Sequence, residues 1–233
     1  MVSIDFLISS IPAFPLIGFL IIALNTKRLG HTFTSTLACG TILLSFLASV
    51  YLFAFLLQLP VEDRSLSVVL FDWIKAGSFS APFSFLIDPL SSVFLLIITG
   101  IGFLIHLYST GYMHDDEGYN RFFGYLNLFI FFMLVLVMGG NYLIMFIGWE
   151  GVGLCSYLLI GFWFKNQSYN DAANKAFIMN RVGDLGLLLG IILIVMNFST
   201  LQYLDVYAAA TTADYTIPFT AITLLLFIGA MGK

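Results

Sequence analysis

Long apolar stretches separated by short polar breaks run the length of the chain, and their spacing predicts a series of membrane-spanning helices. About 20 mostly apolar residues cross a bilayer. Residues 4–24 meet that requirement, with Pro12 and Pro15 expected to bend the helix. Asn25 to His31 form a polar turn bearing Lys27 and Arg28, and residues 32–59 form a second span that stops at Pro60. Residues 60–87 then change period. The stretch PVEDRSLSVVLFDWIKAGSFSAPFSFLI alternates polar and apolar positions and is punctuated by Gly77 and Pro82. It predicts two or three short strands at the membrane surface, with Trp73 as an interfacial anchor.

Asp88 followed by Pro89 fits an N-cap and a first-turn proline, so a third span starts there and runs to about Tyr108, leaving the FSF triplet outside the helix. Residues 109–120 are a polar loop and 121–138 a fourth span. Gly139, Gly140 and Asn141 allow only a tight turn before a fifth span at 142–164, which makes these two helices antiparallel neighbours. A loop at 165–171, a sixth span at 172–198, a polar loop at 199–215 and the start of a seventh span at 216–233 complete the chain. The expected fold class is therefore an all-α integral membrane protein, a polytopic helical bundle with a short surface β-hairpin after the second helix. Its expected regions are 1–59 (two helices), 60–87 (the hairpin region), 88–120 (the third helix and a loop) and 121–233 (the fourth helix to the start of the seventh).

Composition supports lipid as the solvent: 60% of residues are hydrophobic, 9% are charged, and the mean hydropathy is +1.00. The net charge of −4 comes without a basic cluster, which excludes nucleic-acid binding and leaves membrane lipids as the surrounding partner. No basic region precedes the first apolar run, which predicts a retained helix and not a cleaved signal. Cys39 and Cys155 lie in apolar segments and behave there as small buried hydrophobes. Phenylalanine occurs 25 times, a bias that hints at an organellar genome. Lys27, Arg28, Arg121, Lys165 and Lys175 fall on one side of the predicted topology and only Arg64 and Lys75 on the other, so the first set faces inside.

The charges inside the apolar segments carry the candidate chemistry. A carboxylate at the bilayer centre costs roughly 2.5–3.5 kcal/mol even on lenient insertion scales, so it needs a partner or a task. Glu150 lies mid-way along the fifth span, with Phe146, Gly153 and Tyr157 on its helical face and Gly148, Gly151 and Gly153 allowing close approach. Two roles fit it: a structural carboxylate in a packed bundle, or part of an ion pathway. On the sixth span Asn180, Arg181 and Asp184 share a face, and the i, i+3 spacing lets Arg181 pair with Asp184, either as a self-neutralising structural pair or as part of a site. Lys175 lies roughly on the opposite side of that helix and either meets another partner or snorkels to the inner surface. Lys233, deep in the seventh span beside Gly229, Ala230 and Gly232, makes a proton switch if it meets and leaves Glu150; a lysine near a membrane surface is the plainer alternative. His106, near the end of the third span, fits a satisfied packing residue better than a relay. Gly183, Gly186 and Gly190 form a groove for another helix. No phosphate loop, Cys/His ligand spacing or Ser/His/Asp set appears, so the chain carries no redox or hydrolytic site of its own and its expected contribution is ion movement.

The segments FSFLIDPLS, LYSTGYM with HDDEGYNRFF, NYLIMFIGWEGVGLCSYLLIGFW, NKAFIMNRVGD and IGAMGK together resemble the N-terminal half of chain 5, an antiporter-like subunit of respiratory complex I (NADH:ubiquinone oxidoreductase). The resemblance runs from about residue 80 to residue 233 and implies an antiporter-like fold, here partial, whose full form contains inverted repeats and broken helices. It implies that Glu150 corresponds to the fifth-helix glutamate that modulates the proton site, Asp184 to the sixth-helix acid on the proton route, and Lys233 to the lysine at the break of the seventh helix. Lys175 falls in the matching NKAF segment without an implied role. It further implies the mitochondrial inner membrane or a bacterial plasma membrane, other membrane-arm subunits as partners, and NADH, FMN, Fe-S clusters and ubiquinone in those partners with no cofactor in this chain. The family's chains are much longer. A second polypeptide supplying the missing C-terminal half, as from a split gene, is therefore expected. The multisubunit Na+/H+ antiporters share these motifs and give an alternative function; a non-pumping structural scaffold gives another.

Overall fold

The computed structural model describes residues 3–77, 79–212 and 217–233. In chain order the elements are α1 (Ile4–Asn25), α2 (His31–Gln58), β1 (Leu66–Ala76), β2 (Phe79–Ile87), α3 (Pro89–Tyr112), α4 (Tyr119–Met138), α5 (Tyr142–Ile160), α6 (Gln167–Phe198), α7 (Tyr203–Thr212) and α8 (Phe219–Gly232). The 6 helices α1 to α6 are long and apolar enough to cross a membrane, which makes this a multi-pass helical membrane protein. The chain divides into two compact units, residues 1–68 with 86–138 and residues 69–85 with 139–233.

The first unit packs α1 to α4, and its polar interior follows from the sequence. Pro15 has no N–H, so the carbonyl of Ile11 lacks its helical donor. The hydroxyl of Ser45 on α2 supplies one at 2.7 Å. Nearby, Thr41 donates to Asn127 Oδ1 at 2.9 Å, and Gly18 of α1 lies so close that a Cβ there would stand 2.7 Å from the Thr41 hydroxyl. His106 is buried with Nδ1 2.7 Å from the Gly102 carbonyl and Nε2 3.5 Å from the Asn127 amide, a satisfied packing residue among uncharged neighbours. Replacing Ser45 by Ala leaves the Ile11 carbonyl unpaired in an apolar interior. The expected loss is about 1–3 kcal/mol of stability, read as a lower unfolding midpoint in mild detergent.

The start of α3 is as expected: Asp88 accepts from the Ser91 N–H at 2.7 Å while Ser91 accepts from the Asp88 N–H at 2.8 Å, a reciprocal cap with Pro89 in the first turn. Its end is later than Tyr108. The run Ser109 to Tyr112 stays helical, helped by Thr110 donating to the Leu107 carbonyl at 2.7 Å.

In the second unit, residues 69–76 of β1 and 79–85 of β2 belong to a two-stranded sheet, and the FSF triplet lies in β2. The hairpin turns through Gly77, whose φ of 60° suits a residue without Cβ; Ser78 lies outside the described residues. Asn141 ties this strand to α5. Its Oδ1 caps the N–H groups of Leu143 and Ile144 at 3.1 and 3.0 Å, and its amide donates to the Pro82 carbonyl at 2.8 Å. An Asn141→Ala substitution removes all three contacts at a fully buried position, with an expected cost of about 2–4 kcal/mol, measured as a lower unfolding midpoint.

Two predicted boundaries shift here for local reasons, and one predicted loop contains a helix. α5 ends at Ile160 and not at residue 164, because Gly161 leaves the helix while its N–H bonds back to Tyr157. α6 begins at Gln167 and not at residue 172, because Asn166 caps it by accepting from the Ser168 N–H at 3.0 Å. The predicted polar loop at 199–215 contains the helix α7; its residues 213–215, and residue 216 of the predicted seventh span, lie outside the described residues. Tyr203 at the start of α7 packs edge-on against Tyr142 at 4.6 Å, and Tyr142 N–H donates to the Leu201 carbonyl. Burial pushes the Tyr203 phenol up, so it stays neutral.

The glycine groove on α6 is filled by α8. A Cβ at Gly183 would stand 2.7 Å from the Gly232 Cα, and one at Gly186 or Gly190 would meet Ile228 or Leu226 at 2.7 and 2.9 Å. Backbone-to-backbone approach of this kind is how helices pack where lipid removes the hydrophobic drive. It also fixes where α8 delivers Lys233.

Candidate charge cluster on α5, α6 and α8

Three helices bring four charged side chains together. Arg181 on α6 donates from Nη1 to Glu150 Oε2 on α5, and the same nitrogen lies 3.9 Å from Asp184 Oδ2 one turn along. The expected i, i+3 pair is therefore the looser of two contacts, and the tighter one crosses to α5. The reason is helix rotation: the α5 face that carries Glu150 meets the α6 face that carries Arg181, so the guanidinium reaches both carboxylates. Asp184 is the most buried of the set, with 7% of its side chain exposed against 21% for Glu150 and 51% for Arg181.

Sequence reasoning missed Trp149. Its indole N–H donates to Asp184 Oδ1 at 2.7 Å, its backbone carbonyl accepts from Lys233 Nζ, and its ring lies 5.1 Å from the same ammonium. The expected Glu150 and Lys233 pair is thus not a direct hydrogen bond here: Arg181 holds Glu150, and Trp149 holds Lys233. A tryptophan next to a membrane carboxylate was a visible signal, since a buried indole needs an acceptor. Gly153 makes room for the ammonium, because a Cβ there would stand 2.8 Å from Nζ. Asn180, with its amide turned to satisfy its neighbours, donates to the Gly232 carbonyl at 2.9 Å and steadies the residue before Lys233. Lys175 does not join; it is exposed on α6 and has no hydrogen bond or ion pair among the described residues.

The cluster balances two carboxylates with two cations. Arg181 keeps its charge in proteins, so the groups able to gain or lose a proton are Glu150, Asp184 and Lys233. A unit pair at 3.9 Å attracts by about 4 kcal/mol at an effective dielectric of 20, less where the guanidinium is half exposed. Moving Arg181 fully onto Asp184 needs a shift of roughly 1 Å to reach charge-assisted bonding distance. One guanidinium can therefore serve either carboxylate. Among the described residues no group of three or more His, Cys, Asp or Glu is placed to hold a metal ion.

The residues of this cluster fall within a family match. Residues 139–233 match the NADH:quinone oxidoreductase/Mrp antiporter transmembrane family, and residues 73–123 match the N-terminal region of NADH-ubiquinone oxidoreductase (complex I) chain 5. The chain belongs to the NADH:quinone oxidoreductase/Mrp antiporter family. Among relatives of this family, NADH-quinone oxidoreductase subunit L of Mycobacterium tuberculosis is 45% identical over 224 residues, covering 95% of this chain and 35% of that protein. The subunit of the same name from Pseudomonas aeruginosa is 43% identical over 222 residues, covering 94% and 36%. The chain thus spans about a third of the length of the relatives it matches. In the Mrp complex from Dietzia sp. DQ12-45-1b one chain superposes with a TM-score of 0.78 at 22% identity, covering 99% of this chain and 24% of that one. That likeness establishes the antiporter-like helical fold.

Proposed function

We propose that the chain is the N-terminal part of a proton-translocating membrane-arm subunit of NADH:quinone oxidoreductase, with Glu150, Asp184 and Lys233 as the proton-handling groups. The observation that carries this reading is the sharing of one guanidinium between Glu150 and Asp184 on neighbouring apolar helices. A carboxylate that loses Arg181 to its neighbour becomes a better proton acceptor, so motion of a fixed positive charge moves protons. Arg181 is the gate of this scheme. Lys175, the further candidate from the sequence, lies outside the cluster on α6.

In this reading redox energy comes from partner subunits that hold NADH, FMN, iron–sulfur clusters and ubiquinone, and it reaches the cluster as a change in electrostatic environment. The predicted topology, with the loop at 165–171 on the inner side, and the expected regions 1–59, 60–87, 88–120 and 121–233 belong to the same proposal. The membrane is the mitochondrial inner membrane if the 25 phenylalanines reflect organellar codon usage, whereas the relatives named above are bacterial and favour a plasma membrane. Sequencing the gene in its genome separates the two.

A multisubunit sodium/proton antiporter is the second reading, favoured by the family match, whose description spans both kinds of protein. Membrane vesicles containing the native assembly separate the readings. NADH-driven acidification that needs no sodium supports the first; acidification that requires a sodium gradient and ignores NADH supports the second.

A further inference from the structure

We propose that Trp149 is a positioning residue of the proton site, which holds Asp184 through its indole N–H and parks the Lys233 ammonium on its carbonyl and ring face. The inference rests on the functional reading above and deepens it. Three contacts carry it. The indole N–H reaches Asp184 Oδ1 at 2.7 Å, the ammonium donates to the Trp149 carbonyl, and the ring centroid lies 5.1 Å from Nζ.

Each contact has a distinct consequence. The N–H occupies Oδ1 of Asp184, so Oδ2 is the oxygen left for Arg181, at 3.9 Å. That division of lone pairs orients the carboxylate toward the guanidinium it shares with Glu150. The carbonyl and ring face give Lys233 a resting place that is not a carboxylate, so the ammonium can remain charged while Arg181 neutralises Glu150. A bare ammonium among apolar helices would be costly without such a seat. Trp149 is adjacent to Glu150 in sequence, so one turn of α5 presents both the parking place and the carboxylate that Lys233 can move to. A phenylalanine at the same position would keep the backbone carbonyl and a ring face but lose the donor to Asp184. Leucine would lose the ring as well.

The test is two double-mutant cycles in membrane vesicles from cells that carry each variant in place of the native chain, with the amount of chain checked by blotting and proton translocation measured per NADH oxidised. Trp149→Phe is expected to lower translocation about twofold or more, and Trp149→Phe combined with Asp184→Asn to translocate no less than Asp184→Asn alone. Trp149→Leu is expected to fall further, and that further fall to vanish in a Lys233→Met background. A purely structural tryptophan gives losses that multiply in both backgrounds; that outcome, or full translocation by Trp149→Phe, overturns the proposal. Normal translocation by both Asp184→Asn and Lys233→Met overturns the underlying functional reading and the Trp149 role with it. Loss in those two variants with an unaffected Trp149→Phe removes only the role of Trp149.

Discussion

Replacing Glu150 by Gln is expected to lower NADH-driven proton translocation while the chain remains assembled in the membrane. The amide is close to the carboxylate in shape and can still accept from Arg181, so packing between α5 and α6 survives. It cannot bind and release a proton. Loss of a proton-transferring group slows the step it serves by about 100-fold or more, so flux through this route should become negligible. What remains is set by parallel routes in the same assembly. The measurement is the initial rate of acidification in NADH-energised vesicles, normalised to the content of the chain. An unchanged rate at normal content contradicts the role given to Glu150.

The second large effect is structural and concerns the seat of Lys233. Gly183→Leu is expected to separate α8 from α6 and to remove the chain from its assembly. A Cβ at Gly183 would stand 2.7 Å from the Gly232 Cα and 3.2 Å from the Gly229 carbonyl oxygen, and backbone atoms of a packed helix cannot turn aside as a side chain can. Overpacking of a tight contact costs about 1–3 kcal/mol, and loss of the helix pair adds the contacts of Gly186 and Gly190. Gly183→Ala should show a milder form of the same defect. Gly40→Ala is the control, because a Cβ at Gly40 meets nothing within 4 Å and the exchange favours the helix. Membrane content and assembly size on a native gel distinguish these outcomes. Normal assembly of Gly183→Leu contradicts the close α6–α8 contact.

Much of this architecture was legible because lipid imposes a simple rule. Any spanning segment must satisfy its backbone internally and present apolar side chains, so length and hydropathy alone locate α1 to α6. Asp88–Pro89 announced the start of α3 and the alternation after Pro60 announced the hairpin, since each is local chemistry. The helix α7 was hidden for the opposite reason. Ten residues are too few to span, and YLDVYAAATT sits among polar residues, so it is placed by the contact of Tyr203 with Tyr142 and by the bridge from Gln202, just before it, to Asn141, which sequence separation conceals. At the site, the charged members were visible as anomalies inside apolar runs. The i, i+3 contact of Arg181 with Asp184 was legible too, but the pairing between helices was not. Which face of α5 meets α6 depends on rotation about two helix axes, and that rotation gives Arg181 to Glu150, gives Lys233 to Trp149 and leaves Lys175 outside.

The most direct test of the central claim is mass spectrometry of the native assembly, released from membranes in mild detergent and captured through a tag on this chain. A role in NADH:quinone oxidoreductase predicts that the NADH-oxidising subunits travel with it. An assembly that contains antiporter subunits and lacks the NADH-oxidising ones contradicts that role and transfers the Glu150, Asp184 and Lys233 cluster to sodium/proton exchange.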